Sequence, residues 1–345
     1  MPLLAIDVGA GTQDILLYRE SIPLEGSTKM ILPSPTIIVA RRIDEARARG
    51  KDVFLEGPTM GGGSLTEAVM RHLDAGLKVF ASYSAAATIN DDLDKVANMG
   101  VSIQEEMPLG AQKISTGDLD IPALKCAFKL FELDLPNHVA VAVQDHGFSP
   151  KRSNRIVRFE HMAEAIRSGG RIERFAFREP PLAMTRMQAV KDYVARMGHT
   201  ALLMDTGPAA IFGAATDPHF IDPGLIINFG NGHTVAAMVS QERITAFFEH
   251  HTTMLSPHKI ERFVAELCRG TLKNSQVFED GGHGAFIQSV PDRVKSTVVT
   301  GPRRQEFLNS GALVGAVAVA PGGDMMIAGC IGLLEAWSRM DKQWR

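Results

Sequence analysis

A short glycine-rich segment near the start of the chain carries residue types that can hold phosphate groups. The segment LLAIDVGAGTQDILLY covers residues 3–18 and contains Asp7, Gly9, Gly11 and Thr12. Apolar runs on both sides of paired glycines predict a strand, a tight turn and a second strand. The backbone N–H groups of such a turn can point at phosphate oxygens. Taken alone, the same pattern is equally typical of an ordinary hairpin turn.

A second segment of the same form lies in the other half of the chain. GLIINFGNGHTVAAMV covers residues 224–239, again with apolar runs around paired glycines. At a constant offset, the aligned pairs are Asp7 with Asn228, Gly9 with Gly230, and Gly11 with Gly232. An internal repeat indicates a duplicated unit. We therefore expect two similar α/β domains that face each other across a cleft, each with one hairpin directed at phosphate.

The rest of the chain alternates predicted strands with predicted helices, which is typical of α/β domains. Thr36–Ala40 and Val53–Leu55 are predicted as strands of the first domain. We expect that domain over residues 1–199, with a surface insertion near 147–181 and with the last helix of the chain packing back against it. The second domain is expected over residues 200–345 and contains the second hairpin.

Composition excludes several classes of function. The 345 residues carry a formal charge of −3, and the basic residues are spread along the chain, so we expect no nucleic-acid partner. The three cysteines are far apart, which favours a reducing cytoplasm over a disulfide framework. The first residues lack the basic region of a signal peptide. The longest apolar stretch is broken by Pro321 and Asp324, so no membrane segment is expected.

Four segments, in order along the chain, resemble motifs of the actin, sugar-kinase and DnaK-type chaperone ATPase superfamily. AIDVGAGTQDILLY resembles its first phosphate motif, and IINFGNGHTVAAMV resembles its second. ALLMDTGPAAIFGAA, residues 201–215, resembles the connecting segment, and APGGDMMIAGCIGLLEAW, residues 320–337, resembles the adenosine motif. The resemblance implies two ribonuclease-H-like, actin-like ATPase domains facing across a nucleotide cleft, with ATP and Mg²⁺ as cofactors.

The same resemblance implies a set of site residues. Asp7 would act on the nucleotide-bound magnesium. The residues that would hold the nucleotide are Gly9, Gly11, Thr12, Gln13, Asn228, Gly230, Asn231, Gly232, Thr234, Gly322, Gly323 and Asp324. Asn228 departs from the commoner aspartate, and a neutral amide does not attract magnesium as a carboxylate does. Without the two phosphate motifs, the Gly322–Gly323 pair would be equally typical of a tight strand-to-helix turn.

A group that orients the attacking water or hydroxyl is expected at the end of a central strand or at the start of the connecting segment. The candidates are Gln144, Asp145 and Asp205. Gln144 resembles the actin-type glutamine, and we place it first. In phosphoryl transfer such a group mainly positions the nucleophile. Asp145 and Asp205 could instead cap turns or helices.

A group of histidines near residue 250 raises the question of a metal site. Glu249, His250, His251 and His258 are close in sequence, but His250 and His251 would face opposite sides of a strand. Histidines in contact with solvent, or satisfied inside the core, are the default interpretation. His283 stands in a GGHG segment and could belong to a substrate loop or to a flexible turn.

The whole-chain pattern also resembles a bacterial and archaeal family often labelled "putative pyruvate formate-lyase activating enzyme". Radical chemistry on an iron–sulfur cluster needs closely spaced cysteine ligands, typically CxxxCxxC. Cys126, Cys268 and Cys330 do not form such a group, so radical S-adenosylmethionine chemistry is not expected of this chain.

Two functions from different classes follow from the nucleotide motifs. The first is a Mg²⁺-dependent ATPase or small-molecule kinase, whose acceptor the sequence does not identify. The second is a nucleotide-sensing regulator or activator of a protein partner, with slow or no turnover, which the neutral Asn228 favours. A cytoskeletal filament is a weaker third hypothesis.

Overall fold

The computed structural model describes residues 2–343 of the chain and the side chains of residues 2–341. Its strands are β1 (Leu3–Val8), β2 (Thr12–Tyr18), β3 (Thr28–Pro33), β4 (Val53–Glu56), β5 (Val79–Ala81), β6 (Val101–Ile103), β7 (Gln112–Ser115), β8 (His138–Val143), β9 (Ala176–Phe177), β10 (Thr200–Met204), β11 (Gly224–Phe229), β12 (His233–Ser240), β13 (Arg243–His251), β14 (Gly284–Ile287), β15 (Ser296–Thr300) and β16 (Val317–Ala318).

Helices lie between most of these strands. The α-helices are α1 (Pro35–Ala48), α2 (Gly63–Asp74), α3 (Tyr83–Ile89), α4 (Leu93–Asn98), α5 (Ile121–Lys129), α6 (Asn154–Arg167), α7 (Thr185–Arg196), α8 (Thr206–Ala214), α9 (Pro257–Cys268), α10 (Asn274–Glu279), α11 (Arg304–Asn309) and α12 (Ala328–Gln343). Short 3-10 turns cover Leu24–Gly26, Ile172–Arg174, Thr252–Met254, Pro321–Gly323 and Met325–Ile327.

Two six-stranded sheets repeat one plan. The first has the order β3-β2-β1-β8-β10-β9, and the second has the order β14-β13-β12-β11-β15-β16. In both, a three-stranded antiparallel meander continues into a parallel strand, because β1 pairs with β2 and β8 as β11 pairs with β12 and β15. The chain thus has the predicted α/β fold, in which two sheets follow the ribonuclease-H-like plan of the actin-like fold.

A third sheet lies between β3 and β8 along the chain and was not predicted. Its four strands are all parallel, in the order β6-β5-β4-β7. The predicted strand at Thr36–Ala40 is wrong, because this segment belongs to α1. Its β-branched residues favour a strand, but the buried positions follow helical spacing, and Pro35 stands at a favourable first position. The buried positions are Thr36, Val39, Ala40, Ile43 and Ala46.

Helices α8 and α12 cross at very close range beneath the two large sheets. A Cβ atom on Gly213 of α8 would overlap the carbonyl oxygen of Ala328, and one on Gly332 of α12 would overlap that of Ala209. Both helices contribute to one hydrophobic cluster that includes side chains from both large sheets, among them Ala5 of β1 and Ile226 of β11. The glycines therefore let the two halves share one core.

The outer faces of the large sheets have separate cores. Helices α5 and α7 pack on the first sheet, and α9, α10 and α11 pack on the second. None of the helices within residues 2–343 is long and apolar enough to cross a membrane.

Candidate functional site

The tips of the two hairpins meet at a cleft of about 350 Å³. The β1–β2 turn and the β11–β12 turn contact each other so closely that a Cβ atom on Gly11 would overlap the side chain of Asn231. A Cβ atom on Gly232 would lie 3.4 Å from the Cβ of Ala10. The absence of a side chain at Gly11 therefore lets the two turns approach each other beside one space.

Asp7 lies in β1 on the wall of this cleft. Its Oδ1 atom is enclosed and has no hydrogen-bond partner within the described residues. Gly329 of α12 packs against its carboxylate so tightly that a Cβ atom there would overlap Oδ2. Burial, followed by the nearby Asp14 and Asp205, raises the pKa of Asp7 well above its ordinary value. The carboxylate is thus held in a place where its charge lacks compensation.

Asp14 faces Asp7 across the β1–β2 ladder. It is 8% exposed, and its Oδ1 atom also has no partner within residues 2–341. Burial raises its pKa to about 7, against a smaller lowering by a hydrogen bond from Thr12. Two enclosed carboxylates with unpartnered oxygens, next to a hydroxyl, match the all-oxygen ligation that Mg²⁺ prefers. The residues present therefore fit a hard divalent cation on this side of the cleft.

The second hairpin offers neutral groups. Asn228, Gly230, Asn231 and Gly232 line the cleft opposite Asp7. Thr234 does not, because its hydroxyl is buried and hydrogen-bonded to Thr252 at 3.0 Å. This side can hold phosphate oxygens through amides but supplies no carboxylate of its own from the hairpin.

Not every residue implied by the resemblance reaches the cleft. Those that line it are Asp7, Gly9, Thr12, Gln144, Asp145, Asn228, Gly230, Asn231 and Gly232, and those that do not are Gly11, Gln13, Asp205, Thr234, Gly322, Gly323 and Asp324. The amide of Gln13 donates to the Pro33 carbonyl oxygen at 3.0 Å. The Gly322–Gly323 turn packs against Leu24 and Glu25, while Met325 and Met326 after it line the cleft.

The predicted nucleophile-orienting residues have different surroundings. Gln144 follows β8, lines the cleft and donates from Nε2 to Glu249 Oε1 at 2.9 Å. Asp145 accepts from the backbone N–H groups of Gly147 and Met187 at 2.8 and 2.9 Å, and burial raises its pKa. Asp205 accepts from the N–H of Gly207 at 3.0 Å and caps α8. The two aspartates thus make the turn and cap contacts that their sequence positions also allowed.

A buried ion network joins the two halves, and sequence reasoning missed it. Arg158 of α6 is 1% exposed and contacts Asp205 at 2.5 Å and Glu249 of β13 at 2.9 Å. Burial alone would lower the pKa of Arg158, but the two carboxylates raise it above its ordinary value. Burial likewise opposes ionisation of Glu249, yet Arg158 holds its pKa below the usual range. Only the arginine-rich composition of the segment near 147–181 hinted at it.

Four histidine rings lie together beside the second hairpin and form a ring cluster, made of His146, His233, His251 and His283. The ring of His233 lies 4.7 Å from that of His251, 4.9 Å from that of His283 and 6.4 Å from that of His146, between centroids. Burial lowers the pKa of His233 to about 4 and lowers those of His146, His251 and His283, with Arg158 adding to the effect at His146 and His283. Burial therefore favours the neutral form of all four imidazoles.

His250 and His251 lie on opposite faces of β13, as expected. The buried His250 contacts Asp280 at 3.1 Å through Nε2 and stands away from the cleft. Of the histidines noted near residue 250, His251 alone joins the ring cluster. The other members come from distant segments, so sequence spacing gave no signal for them.

Loops of the third sheet form the outer wall of the cleft. Gly61, Gly62 and Gly63 lead into α2 and line the space together with residues 87–91. Arg186 of α7 also lines it and is held by Asp118, with Nε–Oδ2 and Nη2–Oδ1 distances of 2.7 and 2.8 Å. A Cβ atom on Gly61 would lie 2.9 Å from this guanidinium. The third sheet thus contributes a glycine loop to the wall of the cleft, and α7 adds the guanidinium of Arg186, held by Asp118.

Comparison with solved structures gives distant likenesses over nearly the whole chain. Ethanolamine utilization protein EutJ from Carboxydothermus hydrogenoformans is 11% identical, with 96% of this chain and 89% of that chain covered and a TM-score of 0.34. Component A of (R)-2-hydroxyglutaryl-CoA dehydratase from Acidaminococcus fermentans is 11% identical, with 99% of each chain covered and a TM-score of 0.33. MreB5 of Spiroplasma citri bound to ADP is 9% identical, with 99% and 97% covered and a TM-score of 0.40. Scores this low carry no argument about function.

No curated protein matches the chain in sequence. A family model does match, over residues 60–306, and its description is "Putative pyruvate format-lyase activating enzyme (DUF1786)". The matched range contains the second hairpin, Arg158, Glu249 and the ring cluster, and it begins after the first hairpin. It covers well over half of the chain, which therefore belongs to the DUF1786 family.

Proposed function

We propose that this protein binds ATP with Mg²⁺ between its two hairpins and transfers or releases the terminal phosphate, as an ATPase or a small-molecule kinase. The observation that carries the proposal is the pair of enclosed carboxylates, Asp7 and Asp14, each with one unpartnered oxygen, beside two facing glycine turns. Buried acids without a counter-charge are costly, and a bound cation would remove that cost. Mg²⁺, when bound, would supply charge neutralisation on the phosphate oxygens.

The chain's own residues would divide the remaining work. The N–H groups of Gly9 and Gly230 donate within their own hairpins, to the carbonyl oxygens of Thr12 and His233. The N–H groups at the tips of the two turns, at Ala10, Asn231 and Gly232, would hold phosphate oxygens, and Gln144 would position the attacking oxygen. The third-sheet loops beside Arg186 leave the open side of the cleft for an acceptor. Closure of the two halves, which we divide near residue 200, would exclude water.

Calorimetry of ATP binding tests this proposal directly. We expect binding with Mg²⁺ and a large loss of affinity with a chelator. Asp7→Asn should abolish the Mg²⁺-dependent part, while the exposed Asp192→Asn serves as the matched control and should not. Absence of Mg²⁺-dependent binding in the unaltered chain would overturn the proposal.

A second candidate, a nucleotide-sensing regulator with slow turnover, is favoured by one specific observation. The carboxylates beside Gln144 that could assist an attacking oxygen, Asp145 and Asp205, are committed to backbone and arginine contacts. ATP binding without phosphate release or phosphorylation of any metabolite in a broad screen, together with a protein captured only in the ATP-bound state, would favour this candidate over the kinase.

The cysteines bear on the activity that the family's description names. Radical chemistry on an iron–sulfur cluster needs thiolates close together. Cys126, Cys268 and Cys330 lie in α5, α9 and α12, respectively, and Cys330 is buried in the shared core. We therefore do not extend radical chemistry to this chain, and a role beside such an enzyme belongs to the regulator candidate.

A further inference from the structure

Three histidines from distant segments converge beside the second hairpin. His146 follows β8, His233 opens β12 directly after the glycine turn, and His283 precedes β14. One ring nitrogen from each lies within 4.8 Å of those of the other two. None of the predicted nucleotide contacts uses these side chains, so nucleotide binding does not account for the cluster.

Three of the six ring nitrogens in this cluster have no hydrogen-bond partner within the described residues. His283 is 1% exposed, and neither of its ring nitrogens has a hydrogen-bond partner within residues 2–341. His233 Nε2 is enclosed and equally unpartnered. A buried imidazole without a partner loses its hydration without compensation. Two such rings side by side, beside a third, are therefore unfavourable unless something binds to their lone pairs.

We propose that His146, His233 and His283 form a binding site for a borderline divalent transition-metal ion, with Zn²⁺ as the representative, separate from the carboxylate site at Asp7. Three imidazoles are a ligand set of catalytic zinc sites, in which the fourth position stays open. Here His146 and His233 line the cleft and His283 lies behind them, so the open position faces the cleft.

The distances are close to what the ion needs. Tetrahedral Zn–N bonds of about 2.0–2.1 Å place ligand nitrogens roughly 3.4 Å apart. The nitrogens all lie within 4.8 Å of one another, so zinc binding would require the rings to move together by at most roughly 1.4 Å. A hydrogen bond fixes the backbone of His283, because its N–H donates to the Glu249 carbonyl oxygen at 2.9 Å.

Charged groups of both signs surround the cluster, and the guanidinium groups of Arg158 and Arg155 oppose a cation at His283. Arg158 is close to the cluster, but its guanidinium is paired with the carboxylates of Asp205 and Glu249. Arg158, Asp205 and Glu249 together therefore carry a net negative charge. The negative charge of the Glu249 carboxylate interacts favourably with positive charge at both His146 and His233. Arg155 is directed at the carbonyl oxygens of Gly282 and Phe278, at 2.7 and 3.2 Å. The oxygen-rich Asp7 side and this nitrogen-rich side would select different ions, because imidazole favours zinc and carboxylate favours magnesium.

Zinc titration of the tag-free full chain, stripped with a chelator and without nucleotide, tests the site. We expect one Zn²⁺ per chain by calorimetry, and Co²⁺ should give the visible absorption of four- or five-coordinate nitrogen ligation. His233→Gln, His283→Gln and His146→Gln should each weaken binding by at least about 100-fold, beyond the range found for outer-sphere changes. His258→Gln alters an exposed histidine and is the matched control.

Two of the variants separate the possible causes of a negative result. Asp7→Asn should leave zinc binding unchanged, so a failure of the nucleotide proposal is distinguishable from a failure of this one. His146 stands on the cleft surface, so His146→Gln remains informative if a variant at the buried His283 does not fold. Zinc binding equal in all three variants and the unaltered chain, or no stoichiometric binding, would overturn the proposal.

Discussion

The two hairpins have the same backbone arrangement but carry different side chains at equivalent positions. In β1–β2, Asp7 pairs with Asp14, and in β11–β12, Asn228 pairs with Val235 at the equivalent ladder position. At the residue after each turn, Thr12 in the first copy corresponds to His233 in the second. The first copy thus gathers oxygen acids, whereas the second carries an amide, an apolar side chain and an imidazole. The two copies thus share the backbone of the glycine turn but differ in the side chains that could attract cations.

This difference has an energetic side. The acids of the first hairpin are enclosed and unpaired, so burial raises the pKa of both. The charged residues nearest the second hairpin are instead paired, through Arg158, Asp205 and Glu249. The first hairpin therefore keeps buried carboxylates without a counter-charge, whereas the charged groups beside the second hairpin pair with one another.

The largest expected effect concerns the network that joins the two regions. Arg158→Met leaves Asp205 and Glu249 buried without their partner and should lower the free energy of unfolding by about 3–5 kcal/mol. Urea denaturation measures it. Arg152→Met, which removes an exposed pair with Glu160, is the control and should have no measurable effect. Equal stability of the two variants would mean that the halves are not held together by this network.

The second largest effect is expected from Asp7→Asn, which removes the carboxylate that distinguishes the first hairpin from the second. Turnover of ATP should fall by about 100–1000-fold, as when a preorganised charged group is removed from a transition state. Folding should not suffer, because burial already disfavours the charged carboxylate. Phosphate release and thermal melting without ligand measure the two effects. A lower melting temperature with unchanged turnover would assign Asp7 a structural role instead.

Asp14 should give the protein a measurable pH dependence. Its pKa in the folded protein is about 7, above the ordinary 3.8, so the folded state keeps a proton that the unfolded chain releases between these values. Stability without ligand should therefore fall as pH rises through that window, by up to about 1.4 kcal/mol per pH unit. Urea unfolding at several pH values should show a flatter profile for Asp14→Asn. A profile unchanged by this variant would contradict the assignment.

The smallest effect is expected from Asn228→Asp, which makes the second hairpin more like the first. A carboxylate without a partner should destabilise the ligand-free protein by about 1 kcal/mol. Mg²⁺ with ATP should offset that loss if both hairpins face one nucleotide. Thermal melting with and without Mg²⁺ and ATP measures the difference, with Asn228→Ala as the control. A loss that ligand does not offset would show that the second hairpin lies outside the range of the cation.

The hairpins were predictable because each is encoded by contiguous residues. Apolar runs around paired glycines determine β1–β2 and β11–β12 locally, and the repeat identified the duplicated fold. The third sheet was not predictable in the same way, because β5 and β6 have three residues each and their pairing joins distant segments. Short strands carry too little periodicity to reveal which strands they pair with.

The contacts of individual site residues depended on tertiary structure. Gly322 and Gly323 form a turn, but its packing against Leu24 and Glu25, distant in the chain, decides that it lies outside the cleft lining. His146, His233 and His283 are brought together by three separate strand ends, and no spacing in the sequence connects them. Local patterns specify elements, whereas the meeting of side chains from different elements follows from the order of strands in the sheets.

The packing of α12 under β1 has a consequence for how the chain reaches this structure. The thiol of Cys330 donates to the Ala5 carbonyl oxygen, across 325 positions of sequence. During synthesis, the part of the first sheet that packs against α12 therefore stays uncovered until α12 has emerged. Contacts so distant in sequence form slowly, and exposed apolar surface promotes aggregation meanwhile. Chains that end before α12 should consequently depend on chaperones or be degraded, even though most of their strands are already present.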